Sequence, residues 1–320
     1  MSGAARIAVT VAKVVQVNAL IKRFRFVRSD GGQMPAFSGG AHSVVEMQDG
    51  PTRRMNPYSL MGDPADLSGY EISVRRDEGG RGGSLYLHKQ VTAGMQMVIS
   101  HPVNLFPLDL RAKKHLLIAG GIGITPFLAQ IAQLSSMNAL FELHYSARSP
   151  ELGAYMPELK ARHGDRVQVY FDDHKQMMPL AGLLAGQPLG THLYVCGPKG
   201  MINWVRQAAE VAGWPSAAVH HEEFLAPPVG QAFAVTLNAT GRTIQVAGHQ
   251  SLLEAIEAAG VDAPYLCRGG ACGHCETDVL NCDGEIRHND HWLTEDQKSS
   301  GTKIMPCVSR FTGRTLVLDR

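Results

Sequence analysis

Four cysteines in the last part of the chain have a spacing suited to metal chemistry. Cys267, Cys272 and Cys275 follow one another as C-x4-C-x2-C, and Cys307 lies further downstream. This order matches the ligand pattern of a plant-type [2Fe–2S] cluster, and thiolates are the soft ligands that such clusters use. The glycines inside the first run can adopt positive φ angles, which lets the backbone fold closely around a compact cluster. The sequence therefore predicts a [2Fe–2S] cluster bound by these four cysteines.

Two other uses of these cysteines fit the spacing less well. A structural zinc site more often shows two C-x2-C pairs, whereas the first spacing here is four residues. Disulfides are disfavoured because the chain shows no sign of secretion, and 320 residues can bury a core without them. Cys196 and Cys282 lie outside the pattern, and we interpret them as small apolar residues.

Length and composition indicate an ordinary globular protein with more than one domain. At about 100 to 200 residues per domain, 320 residues correspond to two or three domains. A net charge of +1 argues against nucleic-acid binding, because proteins that bind nucleic acid usually carry a basic excess. Lys13 interrupts any signal-peptide core, and the most apolar run, residues 116–129, is too short to cross a bilayer. We therefore expect a cytoplasmic protein with no membrane partner.

From residue 6 to about residue 105 the chain shows short alternating runs separated by glycine and proline turns, typical of an antiparallel sheet or small barrel. Two pieces of this region suggest a flavin site. Asn56-Pro57-Tyr58-Ser59-Leu60 places an aromatic ring and a hydroxyl after a proline that we assign to a turn. Gly80-Arg81-Gly82-Gly83-Ser84 is a glycine-rich loop that could offer N–H groups to a phosphate. The alternative interpretation is a core tyrosine and a surface hairpin turn.

After residue 107 the pattern changes to strand, glycine turn and helix. Residues 115–119 form a short apolar strand, Gly120-Gly-Ile-Gly-Ile-Thr-Pro126 predicts a turn, and an apolar helix follows. Thr125 is a candidate N-cap of that helix, and Pro126 suits the first helical position. Three more strands and a helix are predicted at residues 141–145, 167–171, 193–196 and 199–212. This alternation predicts a parallel α/β sheet that binds a dinucleotide at the carboxyl ends of its strands.

Acidic residues at the end of one of these strands indicate which dinucleotide is preferred. Asp172 and Asp173 follow the strand at 167–171 and could accept hydrogen bonds from a ribose diol. Carboxylates there would repel a 2′-phosphate, which favours NADH over NADPH. Arg148 points the other way, because an arginine after an earlier strand can serve a 2′-phosphate.

The last third begins after a linker and contains the cysteine loop. Residues 226–231 are rich in proline, alanine and glycine, and two strands at 232–237 and 243–246 form a predicted hairpin. Ser251-Leu-Leu-Glu254 is a capping box that opens a short helix, which ends at Gly260. We interpret the polar stretch His288-Asn-Asp-His291 as a solvated surface and His274 as a surface residue.

Taken in order, these motifs resemble the phthalate dioxygenase reductase family over essentially the whole chain. The resemblance lies in Tyr58-Ser59-Leu60, the loop at 80–84, the turn at 120–126, Cys196-Gly197-Pro198, Glu222-Glu223-Phe224 and the four cysteines. It implies an antiparallel FMN-binding β-barrel at residues 1–106 and a parallel α/β NADH-binding domain at 107–225. A linker at 226–232 and a C-terminal [2Fe–2S] ferredoxin domain of β-grasp fold at 233–320 complete the implied order.

The resemblance also implies roles for individual residues. Tyr58 and Ser59 would contact the flavin, Thr125 would lie near it, and Phe224 would lie at the ring where nicotinamide arrives. One departure is Asn56, because the family usually has arginine there, which leaves the group that neutralises the flavin phosphate open. The cofactor-binding set is Tyr58, Ser59, Leu60, Val74, Arg81, Gly82, Gly83, Ser84, Gly120, Gly121, Thr125, Asp172, Asp173, Cys196, Gly197 and Phe224; Thr125 and Phe224 are also the candidate catalytic residues.

The implied activity is electron transfer from NADH through FMN and the [2Fe–2S] cluster to a separate Rieske-type oxygenase, by a protein expected to be a monomer. A flavin can link these carriers because NADH gives up a hydride whereas a cluster takes one electron at a time. The partner's substrate would be an aromatic acid or a quaternary ammonium compound. Alternatives are a cytochrome P450 or diiron oxygenase as the acceptor, or an electron-carrier or redox-sensing module that does not turn over NADH.

Overall fold

The first third of the chain forms an antiparallel barrel sheet in the computed structural model, which describes residues 5–320. Its strands are β1 (Arg6–Asn18), β2 (Ile21–Arg28), β3 (Ala41–Asp49), β4 (Thr52–Ser59), β5 (Tyr70–Arg75), β6 (Gln96–Ser100) and β7 (Val103–Asn104). They pair in the order β4-β3-β6-β1-β2-β5, and β7 pairs with β3. Alternate apolar side chains such as Phe24, Phe26 and Ile72 fill the interior, as the period-two pattern predicts.

One turn predicted from the sequence is wrong in this domain. Pro57 lies within β4, opposite Val44 of β3, rather than in a turn. The strand tolerates a proline because β4 is at the edge of the sheet, where an N–H can be spared. The sequence also gave no signal for α1 (Gly83–Lys89), which begins inside the predicted glycine-rich loop.

The middle third is a parallel five-stranded sheet with helices between its strands. The elements are β8 (Lys114–Gly120), α2 (Thr125–Ser136), β9 (Leu140–Ala147), α3 (Met156–His163), β10 (Val167–Phe171), α4 (Leu180–Ala185), β11 (Thr191–Cys196), α5 (Lys199–Val211) and β12 (Val219–Glu222). The strand order is β10-β9-β8-β11-β12. Central strand β8 is buried along almost its whole length, which explains its continuous apolar run.

The start of α2 differs from the prediction. A 3₁₀ turn over Gly121–Ile124 runs directly into the helix, so the N-cap position falls on Ile124 and Thr125 is already helical. Pro126 is therefore the second helical residue, not the first. The Thr125 hydroxyl instead donates to the carbonyl of Ile122 at 3.0 Å, which tightens the glycine turn.

The last third is a small mixed sheet with short helices. Its elements are β13 (Phe233–Leu237), β14 (Arg242–Val246), α6 (Leu252–Ala258), β15 (Thr277–Cys282), β16 (Glu285–Arg287), α7 (Glu295–Ser300), β17 (Lys303–Ile304), β18 (Arg310–Thr312) and β19 (Leu316–Leu318). Five strands pair in the order β14-β13-β19-β15-β17, and β16 pairs with β18. The predicted hairpin is confirmed as β13 and β14, and the predicted capping box at Ser251 is present.

The three sheets occupy successive stretches of the chain. The predicted boundaries at residues 106 and 226–232 fall between the sheets and remain predictions. Within residues 5–320, no helix is both long and apolar enough to cross a bilayer.

Candidate functional site

A cleft of about 360 Å³ lies where all three domains meet. The barrel provides the end of β4, the nucleotide-binding domain provides the start of α2 and the segment after β12, and the ferredoxin domain provides the first part of the cysteine loop. Six residues of the predicted flavin set line it: Tyr58, Ser59, Val74, Arg81, Thr125 and Phe224. Cys267 lines the same cleft from the opposite side, so a molecule bound there lies next to a cluster ligand.

The walls of this cleft carry buried polar groups that suit a flavin ring. His42 Nε2 and Glu222 Oε2 have no hydrogen-bond partner within the described residues. Burial lowers the pKa of His42 to about 4 and raises the pKa of Glu222 to about 8. Burial also raises the pKa of Tyr58 to about 12, and Asn56 Nδ2 donates to its hydroxyl at 3.3 Å. Uncharged donors and acceptors in a largely apolar cleft fit the heteroaromatic ring of a flavin.

The predicted phosphate loop lies beside this cleft, and only one of its side chains reaches the cleft wall. Arg81 is 8% exposed and donates to Glu254 at 2.6 Å and to Asn56 Oδ1 at 3.3 Å. Its guanidinium therefore stands beside the position where the family usually has arginine. Ser84 Oγ accepts instead from the N–H of Asp77 at 3.1 Å. Leu60 is buried in the barrel core, and Gly82, Gly83 and Ser84 do not line the cleft, so their roles remain predictions.

A second cleft, of about 600 Å³, opens at the carboxyl ends of the parallel strands. Gly120, Gly121 and Gly197 line it, as predicted for the dinucleotide site. A Cβ on Gly120 would lie 2.5 Å from Met201 Sδ, and one on Gly123 would lie 2.3 Å from the carbonyl oxygen of Cys196. These glycines let the turn after β8 approach β11 closely, which leaves a groove wide enough for a dinucleotide.

The two clefts share part of their walls. Ile122, Arg75, Glu223 and Phe224 line both of them. Phe224 is 49% exposed, which is unusual for a large apolar side chain and places its ring at the junction of the clefts. A nicotinamide that extends from the second cleft must pass this ring to reach a flavin in the first.

Only one of the two aspartates predicted to select NADH lines the second cleft. Asp172 lines the dinucleotide cleft, as does Arg148. Asp173 is exposed and lies outside the lining, with Oδ1 3.8 Å from His174 Nε2. Cys196 is fully buried beneath the cleft, and burial raises the pKa of its thiol well above the usual range. Only Asp172 of the pair is thus placed to meet a ribose.

The four cluster cysteines come together as two pairs. The thiols of Cys267 and Cys272 interact with each other, and so do those of Cys275 and Cys307. Within residues 5–320, no three such side chains converge on one point as they would around a single ion. Two thiolates for each of two irons is the arrangement that a [2Fe–2S] cluster requires.

Hydrogen bonds from neighbouring thiols and backbone N–H groups shift the pKa values of the cluster cysteines. The pKa of Cys267 is lowered to about 5 by the hydrogen bond from Cys272 and by backbone N–H groups, and the Gly269 N–H lies 3.3 Å from its sulfur. Cys307 likewise lowers the pKa of Cys275. The same interactions raise the pKa of Cys272 and of Cys307, so within each pair one thiol is favoured as the thiolate that binds metal and the other is not.

The segment that follows the cysteine loop corrects one interpretation. The stretch at 288–291 was expected to be a solvated surface, but the Asp290 side chain is fully buried and that of His288 is 10% exposed, whereas His291 stays 36% exposed. A Cβ on Gly270 would lie 3.2 Å from Asp290 Cα, and one on Gly273 would lie 2.2 Å from the Trp292 ring. Both glycines have positive φ, so the close packing and the backbone conformation each require glycine.

Several residues of the site gave no signal in the sequence. His42 and Glu222 are an isolated histidine and one of many glutamates until the fold places them in the flavin cleft. The contact between His291 Nε2 and Glu223 Oε2, at 3.0 Å, joins the C-terminal domain to the second cleft. Such contacts depend on how domains meet, which local patterns do not encode.

Two family comparisons match different parts of the chain. Residues 97–219 match the N-terminal domain of proteins like DmmA, a dimethylamine monooxygenase subunit. Residues 235–312 match the 2Fe–2S iron–sulfur cluster binding domain.

Whole-chain relatives agree with this assignment. The carnitine monooxygenase reductase subunit of Acinetobacter baumannii is 45% identical over 97% of this chain and 96% of its own length. The heme-dependent oxidative N-demethylase beta subunit of Ectopseudomonas mendocina is 43% identical over 97% of this chain and 98% of its own. The solved structure of phthalate dioxygenase reductase superposes with a TM-score of 0.89 and 34% identity, covering 99% of this chain and 98% of that one. The chain belongs to the phthalate dioxygenase reductase family and is an NADH-dependent oxygenase reductase that uses FMN and a [2Fe–2S] cluster.

Proposed function

We propose that this reductase supplies electrons to an oxygenase that acts on a methylated or quaternary amine. Two relatives and one matching domain family support the proposal, because their names refer to carnitine, to an oxidative N-demethylase and to dimethylamine. Oxidation of a carbon attached to such a nitrogen uses one O₂ and two electrons, with one oxygen atom entering the substrate and the other leaving as water. The reductase would deliver those two electrons from one NADH.

The observation that carries the electron-transfer part of this proposal is the shared cleft. Phe224, on the dinucleotide side, and Cys267, on the cluster side, line the same cavity. A flavin held there would supply the chemistry that links a two-electron hydride donor to a one-electron carrier. We assign Phe224 the role of covering the flavin face until nicotinamide displaces it, and Thr125 and Tyr58 the role of orienting the ring.

We assign the two ends of the dinucleotide to different residues. The glycine turn at Gly120 and Gly121, with Gly197 facing it, would admit the pyrophosphate close to the backbone. Asp172 would accept hydrogen bonds from the adenosine ribose and disfavour a 2′-phosphate by charge repulsion. No acid or base is required for hydride transfer, so positioning is the main task of these residues.

We further propose that the partner is a Rieske-type oxygenase and that the reductase works as a monomer in the cytoplasm. The likeness to phthalate dioxygenase reductase over the whole chain supports the partner class. The meeting of all three domains within one chain supports the monomer, since no second copy is needed to complete the cleft. A haem oxygenase is the second candidate, because the relative from Ectopseudomonas mendocina is named as part of a heme-dependent demethylase.

Reconstitution distinguishes the two partner classes. The reductase would be mixed with NADH and either a purified Rieske-type amine oxygenase or a purified haem-dependent demethylase subunit, each with its own amine. We expect the Rieske-type mixture to form product in proportion to the NADH consumed. Product formation only with the haem protein would overturn the proposed partner class and leave the reductase assignment intact.

A further inference from the structure

Glu254 carries a contact that its role in helix α6 does not explain. It is the last residue of the capping box and the third residue of the helix, where its side chain accepts from the Ser251 N–H at 2.8 Å and the Ser251 hydroxyl accepts from the Glu254 N–H at 3.1 Å. A glutamine could make the same cap. The side chain is nevertheless only 5% exposed, which is costly for a carboxylate unless it is paired.

The partner that balances this charge lies in another domain. Arg81 of the barrel donates to Glu254 at 2.6 Å, and the Met55 N–H of β4 lies 3.4 Å from the other carboxylate oxygen. The Arg81 side chain is only 8% exposed, so both charges are withdrawn from water. A shift of one domain against the other that broke this pair but kept the groups buried would leave a charge without its partner, which disfavours such alternative arrangements.

This contact lies on a short path between the flavin cleft and the cluster. Arg81 donates to Asn56, which lines the cleft next to Tyr58. One turn after Glu254, Glu257 of the same helix pairs with Arg268, the neighbour of Cys267 in the chain. A displacement of α6 relative to β4 would therefore move the cluster loop relative to the flavin.

The cysteine loop itself approaches the same strand. A Cβ on Gly269 would lie 3.9 Å from Pro57 Cγ, so the loop passes β4 at a distance that a single added methyl group would fill. Two contacts join Glu254 to the barrel here: the ion pair with Arg81 and the approach of the Met55 N–H of β4.

We propose that Glu254 is a positioning residue for electron transfer from the flavin to the cluster. Paired with Arg81, it holds α6 against the barrel and so sets the separation of the two redox centres. The transfer moves one electron at a time from the reduced flavin to the oxidised cluster and makes or breaks no covalent bond. This inference rests on the reductase function but not on the identity of the oxygenase.

The test is Glu254→Gln, which keeps the cap and the side-chain volume but removes the charge. Ser251→Ala is the matched control, because it removes the capping hydroxyl and leaves the ion pair in place. Three quantities are measured for each full-length protein: NADH-dependent ferricyanide reduction, which needs only the flavin; the rate of cluster reduction in stopped-flow absorbance; and hydrogen exchange of the amides at 53–56.

We expect Glu254→Gln to retain ferricyanide reduction while cluster reduction slows several-fold, because the rate of electron transfer falls as the separation of the two redox centres grows. Exchange at 53–56 should rise in this variant and stay at the wild-type level in Ser251→Ala. Unchanged cluster reduction in Glu254→Gln would overturn the proposal, and so would an equal loss of ferricyanide reduction, which would indicate damage to the flavin site. Loss of ferricyanide reduction in the wild-type protein would instead contradict the reductase function itself.

Discussion

Replacing Glu222 with glutamine should stabilise the protein at neutral and alkaline pH. Glu222 as a whole is half-buried, because part of its side chain faces the open flavin cleft. Its Oε2, however, has no contact with solvent and no hydrogen-bond partner within the described chain. Burial raises the pKa of this carboxyl from 4.5 to about 8. The folded protein therefore holds a proton there that the unfolded chain releases.

The sign and size of the effect follow from this difference. Between pH 4.5 and about pH 8 the folded state binds more protons, so the free energy of unfolding falls as pH rises, by about 1.4 kcal/mol per pH unit at most. Glutamine does not titrate, so the Glu222→Gln variant does not lose unfolding free energy in this way as the pH rises. The variant should gain about 3 kcal/mol over the wild type at pH 7 as an upper bound, little near pH 4.5, and a constant amount above pH 8.

The assay is urea unfolding at several pH values, followed by the fluorescence of Trp204 and Trp214, which lie in the same domain as Glu222. The control is Glu210→Gln, because Glu210 is exposed on α5. We expect the gain in the free energy of unfolding of Glu222→Gln over the wild type to grow with pH. The difference in unfolding free energy between Glu210→Gln and the wild type should not change with pH. A gain that is independent of pH, or a loss at pH 8, would refute the argument that Glu222 is buried in its neutral form.

Three further outcomes are expected. Cys272→Ser should retain NADH-dependent ferricyanide reduction but abolish cytochrome c reduction, since only the second needs the cluster; equal loss of both activities would contradict this separation. Gly123→Ala should cost about 1–3 kcal/mol in urea unfolding and weaken NAD⁺ binding, because its Cβ would lie 2.3 Å from the Cys196 carbonyl oxygen, whereas Gly182→Ala in open space should do neither. Asp172→Ala should lower the preference for NADH over NADPH about fivefold, since a charge interaction in water is worth about 1 kcal/mol at 4 Å; an unchanged ratio of the two KM values would remove Asp172 from the ribose site.

The sequence predicted most of the fold because its signals are local. Alternation along β1 and β2, the apolar run of β8 and the capping box at Ser251 each report the environment of a single element. The cysteine spacing likewise predicted the cluster, since the loop that holds three of the ligands is continuous in the chain. The predicted positions of Thr125 and Pro126 in α2 were each wrong by one residue. The reason is that a 3₁₀ turn runs directly into the helix, so the sequence has no separate N-cap signal there.

The remaining features depend on contacts between distant parts of the chain. Pro57 signalled a turn, and only the edge position of β4 allows it within a strand. The stretch at 288–291 is polar, and only its packing against Gly270 shows that it is not solvated. Arg81 was predicted to meet a phosphate, whereas its pairing with Glu254 arises from the meeting of two domains.

The most direct test of the account is anaerobic stopped-flow reduction of the purified protein with NADH, followed by chromatography of the released flavin. The account predicts that the flavin band bleaches first, that the cluster band follows within the same turnover, and that the flavin released is FMN. Bleaching of the flavin with a cluster that stays oxidised would contradict the claim that the shared cleft places the two centres in series.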